Sequence, residues 1–232
     1  MTALHADGAT LHPLWSDVSL TVAPGEFVAV LGPNGVGKST FLRAALGLVP
    51  LDSGRITTAP RVGFIPQQRM FDPDLPLRVR DLVGLSLAHR ALSRPDRATV
   101  DGLLAQVGAA EFANTRVGAL SGGQQQLVRQ AQALACDPQL ILADEPLLSL
   151  DYLMQSRIVD LLDARRRACG TAVVFVTHSI NPILRVADTV LYLGPRGHTA
   201  GPIEDVMTSE TLSELYGTHV DVVRIGDRLV VV

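Results

Sequence analysis

The sequence is nearly devoid of lysine. Its 20 basic residues are 19 arginines and a single lysine, Lys38. Arginine serves at every other cationic position, so the exception calls for a site that needs a compact ammonium. Cysteine is almost as scarce. Cys136 and Cys169 have no metal-type spacing and fit a reducing compartment rather than a disulfide framework. Long apolar runs are also missing: hydrophobic residues make up 47% of the chain, yet no run approaches the ~18 residues of a membrane span. Residues 1–10 have no charged start followed by an apolar block, so no signal peptide is expected. Excess positive charge is absent too. The net charge of −3 argues against a dedicated nucleic-acid binder. With 19% charged residues, the composition excludes disorder, collagen, coiled coil and disulfide scaffold. What remains is a chain of 232 residues, long enough to bury a full core, as one α/β domain with an inserted subdomain.

The pattern along the chain alternates between strand and helix. Residues 18–22 (Val-Ser-Leu-Thr-Val) predict a strand, ended by the turn Ala23-Pro24-Gly25-Glu26. Residues 27–31 form an unbroken apolar run, as in a strand buried on both faces. A Gly-rich loop follows, then a helix from Lys38 to about residue 48, and short strands over 55–58 and 61–65. From 71 to 135 strand-like runs vanish. Ala, Leu, Arg and Gln recur there at helical spacing, predicting helices near 79–88, 94–107 and 122–135. Strands resume at 140–143, 172–176 and 189–193, separated by helices near 152–168 and 182–186. That order is α/β with a helical insertion. Residues 211–216 predict a helix, and 220–225 with 228–232 a hairpin turning at Gly226-Asp227. The run Arg165-Arg166-Arg167 is expected on a solvated helix face near a C-terminus, where it suits the dipole.

Gly32-Pro33-Asn34-Gly35-Val36-Gly37-Lys38-Ser39-Thr40 fits G-x-x-x-x-G-K-[ST], after a buried strand and before a helix. Glycines there let successive N–H groups turn inward around phosphate oxygens, and the helix adds the positive end of its dipole. Lys38 would place its ammonium on the β/γ-phosphates, and the Ser39 hydroxyl can join a Mg²⁺ shell. A chance match in this length has odds of roughly 1 in 100 at average residue usage. Leu140-Ile141-Leu142-Ala143-Asp144-Glu145 ends an apolar strand on two acids. At the carboxyl edge of a parallel sheet, Asp144 can hold Mg²⁺ through water and Glu145 can act as general base. The same residues also read as a strand ending in a solvated acidic turn. Leu120-Ser121-Gly122-Gly123-Gln124 opens a helix, with Ser121 as N-cap and two glycine N–H groups free for an anion. One nucleotide does not need two such helix ends, so the second can serve a nucleotide held by another copy of the chain.

Together these segments resemble the ATP-binding cassette (ABC) ATPase family over nearly the whole chain. By that resemblance Gln67, in Phe64-Ile65-Pro66-Gln67-Gln68, is the Q-loop glutamine. Ser121, Gly122, Gly123 and Gln124 belong to the signature, Asp151 to the D-loop in Ser149-Leu150-Asp151, and His178 is the switch histidine. The resemblance implies a P-loop NTPase core of the RecA-like kind, an ABC-type antiparallel β region and an inserted helical subdomain. The division it implies is a core over 1–70 and 137–218, a helical subdomain over 71–136 and a terminal hairpin over 219–232. It implies catalytic roles for Glu145, His178 and Gln67. Phosphate would be bound by Gly32 through Thr40, Mg²⁺ by Ser39, Gln67 and Asp144, and the partner's ATP by Ser121–Gln124. The dimer is head-to-tail, with two ATPs between one subunit's phosphate loop and the other's signature. An adenine-stacking aromatic is missing, because its usual position falls on Ala9. His12 and Trp15 are the nearest rings, and Trp15 is expected in the core.

One cassette without a membrane span or long coiled coil implies separate integral membrane permease subunits. It also implies, indirectly, an extracytoplasmic substrate-binding protein, and a place on the cytoplasmic face of a bacterial membrane. DNA-repair and translation ATPases of the family carry long coiled coils or two cassettes, and no nucleic-acid partner is expected. Three stretches look like the manganese/zinc/chelated-iron importer subfamily. They are Pro66-Gln67-Gln68-Arg69 with Phe71-Asp72-Pro73-Asp74-Leu75-Pro76, His178-Ser179-Ile180-Asn181-Pro182, and Thr211-Leu212-Ser213-Glu214-Leu215-Tyr216-Gly217. The expectation is an ATPase energising uptake of manganese or zinc, with a siderophore or cobalamin as the alternative cargo.

Overall fold

The computed structural model describes residues 2–67, 70–87, 96–226 and 228–231. Gln68, Arg69, Asp227, Val232 and the junction between the first two predicted insertion helices lie outside the described residues.

The chain begins with β1 (Leu4–Leu11) and β2 (Trp15–Val22), followed by β3 (Phe27–Leu31) and α1 (Lys38–Ala45). Next come β4 (Ser53–Thr58), β5 (Val62–Ile65) and the helices α2 (Val79–Leu87), α3 (Arg97–Gln106) and α4 (Gly122–Leu134). The chain then forms β6 (Leu140–Asp144), α5 (Tyr152–Cys169), β7 (Ala172–Val176), β8 (Thr189–Gly194) and β9 (Gly197–Pro202). It ends with α6 (Ile203–Val206), α7 (Ser209–Tyr216), β10 (Val222–Ile225) and β11 (Arg228–Val231).

A six-stranded sheet in the order β5-β6-β7-β3-β8-β9 forms the centre, parallel except for β9. The residues of β3, β6 and β7 are all buried, which explains their unbroken apolar runs. Alternate side chains feed two cores. Val28, Val30, Leu142 and Val174 pack with α1 and the antiparallel sheet β2-β1-β4 on one face. Phe27, Ala29, Ile141 and Phe175 pack on the other with α5 and the helices inserted between β5 and β6.

Three expectations change. β1 and β9 are strands that the residue pattern does not predict. β1 is built from Ala, His, Asp and Gly around two Leu, and Gly8 at φ +57° interrupts its register with β2. β9 is Gly-His-Thr-Ala-Gly-Pro. Both are poor in β-branched residues and owe their conformation to pairing with neighbours rather than to propensity. The expected helix over 182–186 is a single 3₁₀ turn, Asn181–Ile183, because Pro182 lacks a donor and the chain must reach β8 at Thr189. The arginine run is not a solvated face. Arg166 donates to Asp163, to Asp188 and to the Gly25 carbonyl, and Arg165 pairs with Asp137, so both side chains are largely buried; only Arg167 stands out in solvent. These bonds tie the end of α5 to the turn before β3.

Candidate functional site

The sheet register brings the sequence-predicted residues to one edge. Ile65 pairs with Ala143, Asp144 with Val176, and Val176 with Val30. The carboxyl ends of β5, β6, β7 and β3 therefore carry Gln67, Asp144 with Glu145, His178, and Gly32 side by side. This is where open parallel sheets bind ligands.

Gly32, Gly35 and Gly37 have φ of +140°, +88° and +94°. At Gly32 the requirement is twofold, because a Cβ there would stand 2.0 Å from the Leu193 carbonyl oxygen. Gly37 caps α1, so the N–H groups of the first turn open toward the loop. Asn34 and Gly35 are exposed, while Pro33, Val36, Ser39 and Thr40 are half-buried. Lys38 is 5% exposed, and its Nζ donates to the Gly32 and Pro33 carbonyls at 2.8 and 2.9 Å. Burial pushes its pKa below the ordinary 10.5, and the charges of Glu145 and Asp144 oppose that shift. A desolvated ammonium in a cradle of inward N–H groups is suited to an anion with several oxygens.

Ser39 Oγ donates to Asp144 Oδ1 at 2.7 Å, and Asp144 is 3% exposed. A hydroxyl and a carboxylate in contact are the hard oxygen donors that Mg²⁺ takes. Glu145 N–H donates to the Val176 carbonyl at 3.0 Å, extending the β6–β7 pairing by one residue. Its own φ is +45°, the left-handed region that a non-glycine rarely enters. That turn takes the chain out of the strand just where the side chain is needed: Glu145 Oε2 lies 3.9 Å from His178 Nδ1. Gln67 is exposed beyond the end of β5.

The Ser121 segment stands apart from these residues, at the start of α4. Gln124 N–H donates to Ser121 Oγ at 3.3 Å, and Ser121 N–H to Gln124 Oε1 at 3.0 Å, a reciprocal capping box. That leaves the amides of Gly122 and Gly123 in the first turn outside the box. A Cβ on Gly123 would meet Met154 at 3.2 Å. Met154 N–H in turn donates to Asp151, which caps α5. The starts of α4 and α5 thus meet.

One residue that the sequence leaves undistinguished is Gln125, in a run of three glutamines. It is 1% exposed, accepts from Phe71 N–H at 2.8 Å and donates to the Leu120 carbonyl at 3.1 Å. Arg129 lies over the Phe71 ring, 4.3 Å from its centroid. The segment following Gln67 is thereby fastened to the helix that carries Ser121. Gln126 beside it is equally buried, so what distinguishes Gln125 is its bonding to the backbone of both Phe71 and Leu120. Trp15 is 6% exposed and edge-on to Phe41, packed beneath Gly37; His12 is bonded to Asp52.

The family model described as ABC transporter matches residues 15–148. The chain is 38% identical to the zinc import ATP-binding protein ZnuC of Cereibacter sphaeroides, over 87% of this chain and 82% of that protein. It is 35% identical to the manganese transport system ATP-binding protein MntB of Bacillus subtilis, over 88% of this chain and 87% of the relative. Among solved structures, an inward-facing metal-chelate type ABC transporter superposes with a TM-score of 0.87 at 27% identity, covering 100% of this chain and 96% of that one. A dimeric post-hydrolysis ATP-binding cassette bound to ADP and Pi superposes at 0.71 with 30% identity, covering 82% of this chain and 94% of that one.

Proposed function

The chain belongs to the ABC transporter family, and from that premise we propose that it is the ATP-hydrolysing subunit of an importer of a divalent metal ion, zinc or manganese. The observation that carries the hydrolytic part is the convergence of Lys38, Ser39, Asp144, Glu145 and His178 at one sheet edge. The names of the relatives carry the cargo, since the ATPase itself need not touch the ion.

In this reading the loop from Gly32 to Thr40 wraps the phosphates with inward N–H groups, and Lys38 neutralises the β/γ oxygens. Ser39 and Asp144 would hold Mg²⁺, with Gln67 alongside, and bound Mg²⁺ supplies charge neutralisation at the phosphates. Glu145 takes the proton of the attacking water, and His178 orients toward the γ-phosphate. Ser121 and the amides of Gly122 and Gly123, next to Gln124, close over the γ-phosphate of a second copy's nucleotide, with Asp151 at the same junction. The dimeric ADP-bound cassette among the structural neighbours supports that arrangement. The chain divides into a nucleotide-binding core over 1–70 and 137–218, a helical subdomain over 71–136 and a hairpin over 219–232. Among the described residues no helix is long and apolar enough to cross a membrane. The importer reading, drawn from the relatives, has the chain attached through permease subunits on the cytoplasmic face, with an extracytoplasmic binding protein delivering the cargo.

The test is reconstitution with the cognate permease in vesicles. ATP-dependent accumulation of zinc or manganese is expected. ATP-dependent uptake of a metal chelate or cobalamin in their place would overturn the cargo and leave the hydrolase intact.

The permease contact is proposed at the segment after Gln67, where Met70 is 58% exposed and Phe71 is half-buried. Phe71→Asp should lower transport by roughly tenfold or more, the scale of losing one interface anchor. ATP binding by the isolated chain should persist. Normal assembly and transport by this variant would show the contact to lie elsewhere.

A further inference from the structure

The hairpin β10–β11 forms its own two-stranded sheet and does not join the central one. An isolated hairpin of this size is marginal in water, so its order depends on what it docks against. One anchor is apolar: Leu229 is 7% exposed and belongs to the core. The other is a side-chain amide. Asn181 Nδ2 donates to the Leu229 carbonyl at 2.9 Å, and Leu229 N–H donates to Asn181 Oδ1 at 2.9 Å. The amide thus pairs with β11 as a strand residue would, using both of its polar ends.

Asn181 lies three residues beyond His178 on the same short loop. On the other side of His178, Thr177 N–H donates to the Val30 carbonyl at 3.2 Å, and Thr177 Oγ1 bonds both the carbonyl and the N–H of Ser179. Ile180 and Ile183 are buried at 3% and 0% exposure. His178 itself is 57% exposed at its side chain, 3.9 Å from Glu145. Its position is therefore set by the backbone anchors that flank it. Residues 229–231 of β11 also line a cavity of ≈ 450 Å³ together with Gly32, Pro33, Asn34 and His178. The hairpin forms a wall beside the phosphate loop.

We infer that Asn181 is a positioning residue: by clamping β11 it holds the loop that carries His178, which makes the terminal hairpin a cis-acting part of the hydrolytic site. This rests on the ATPase reading above. Misplacement of a catalytic group by about 1 Å can cost up to ~10²-fold. Asn181→Ala should lower kcat by roughly 10- to 100-fold with KM for ATP changed less than about twofold. Asn181→Asp keeps the acceptor for Leu229 N–H but sets a carboxylate oxygen against the Leu229 carbonyl, and should lower kcat at least as far as Asn181→Ala. In a His178→Ala background, Asn181→Ala should cost nothing further, because its effect is exerted through His178. A purely structural role would add its full cost there.

A second measurement does not depend on hydrolysis. Leu229→Pro removes the N–H that Asn181 accepts. Amide hydrogen exchange over residues 177–183 should then rise roughly 10-fold, as in Asn181→Ala. Unchanged exchange over 177–183 in Leu229→Pro, or an undiminished kcat loss in the His178→Ala background, would overturn the clamp. Absence of hydrolysis by the unsubstituted chain would overturn the ATPase reading instead, and the exchange result would still decide whether hairpin and loop are coupled.

Discussion

Glu145→Gln is expected to lower ATP hydrolysis by at least ~10²-fold while leaving nucleotide binding in place. Glutamine keeps the shape of the side chain and most of its hydrogen bonding but cannot take the proton of the attacking water. The backbone should tolerate the change, because φ of +45° and the N–H bond to Val176 make no demand on the carboxylate. In the proposed reading the phosphate contacts come from other residues, chiefly Lys38 and the loop glycines, which Glu145→Gln leaves in place. Unhydrolysed ATP should then hold two chains together, so the variant should sediment as a dimer with ATP and as a monomer without it. Adding Ser121→Arg should abolish that dimer. Ser121 is exposed, and losing its cap costs only ~1 kcal/mol of helix stability, so the double variant should fold. The long side chain would instead block the partner's γ-phosphate. Light scattering decides the matter. If the doubly substituted chain dimerises with ATP as strongly as Glu145→Gln alone, the phosphate loop and the Ser121 segment do not meet across an interface.

What was legible in the sequence was whatever a local pattern encodes. The unbroken apolar runs of β3, β6 and β7 announce strands buried on both faces, and Gly32 to Thr40 announces a turn that only glycine permits. Ser121 and Gln124 form the capping box that their spacing allows. Illegible were the features set by what a segment or side chain meets in the fold, whether that partner is near or far in sequence. β1 and β9 are strands because β2, β4 and β8 pair with them, and no property of Gly-His-Thr-Ala-Gly-Pro predicts that. Arg165 and Arg166 look like solvated charges until Asp137, Asp163 and Asp188 are brought beside them. Gln125 and Asn181 are of the same kind. Neither amide is given a role by the sequence, and each bonds a backbone group 48 or more residues away. Residues that act in the chemistry sit in motifs, because the chemistry constrains their spacing. Residues that hold the motif segments in place are constrained only by the fold.

Lys38 offers the most direct reading of the site, because it is the only lysine in the chain. Lysine labelled with ¹³C at Cε should therefore give one protein signal. In the nucleotide-free chain its titration midpoint should lie below 10.5, since burial disfavours the ammonium more than Glu145 and Asp144 favour it. Binding of a non-hydrolysable ATP analogue brings phosphate charge beside Nζ, and the midpoint should then rise. An unchanged signal at saturating nucleotide would remove Lys38 from the phosphate site. Lys38→Ala should weaken MgATP binding roughly 10²-fold, about 3 kcal/mol for losing charge-assisted bonds, with the fold intact. The sharper substitution is Lys38→Arg, which restores a charge that serves at 19 other positions in this chain. Lys38 is 5% exposed, and its Nζ is already held by two carbonyls of the loop it must span, at 2.8 and 2.9 Å. A planar guanidinium with a wider head cannot enter that ring without opening it. Hydrolysis should therefore be lost in Lys38→Arg as in Lys38→Ala. If arginine supported hydrolysis within tenfold of lysine, the loop would need only a positive charge there, and the single lysine would be an accident of composition.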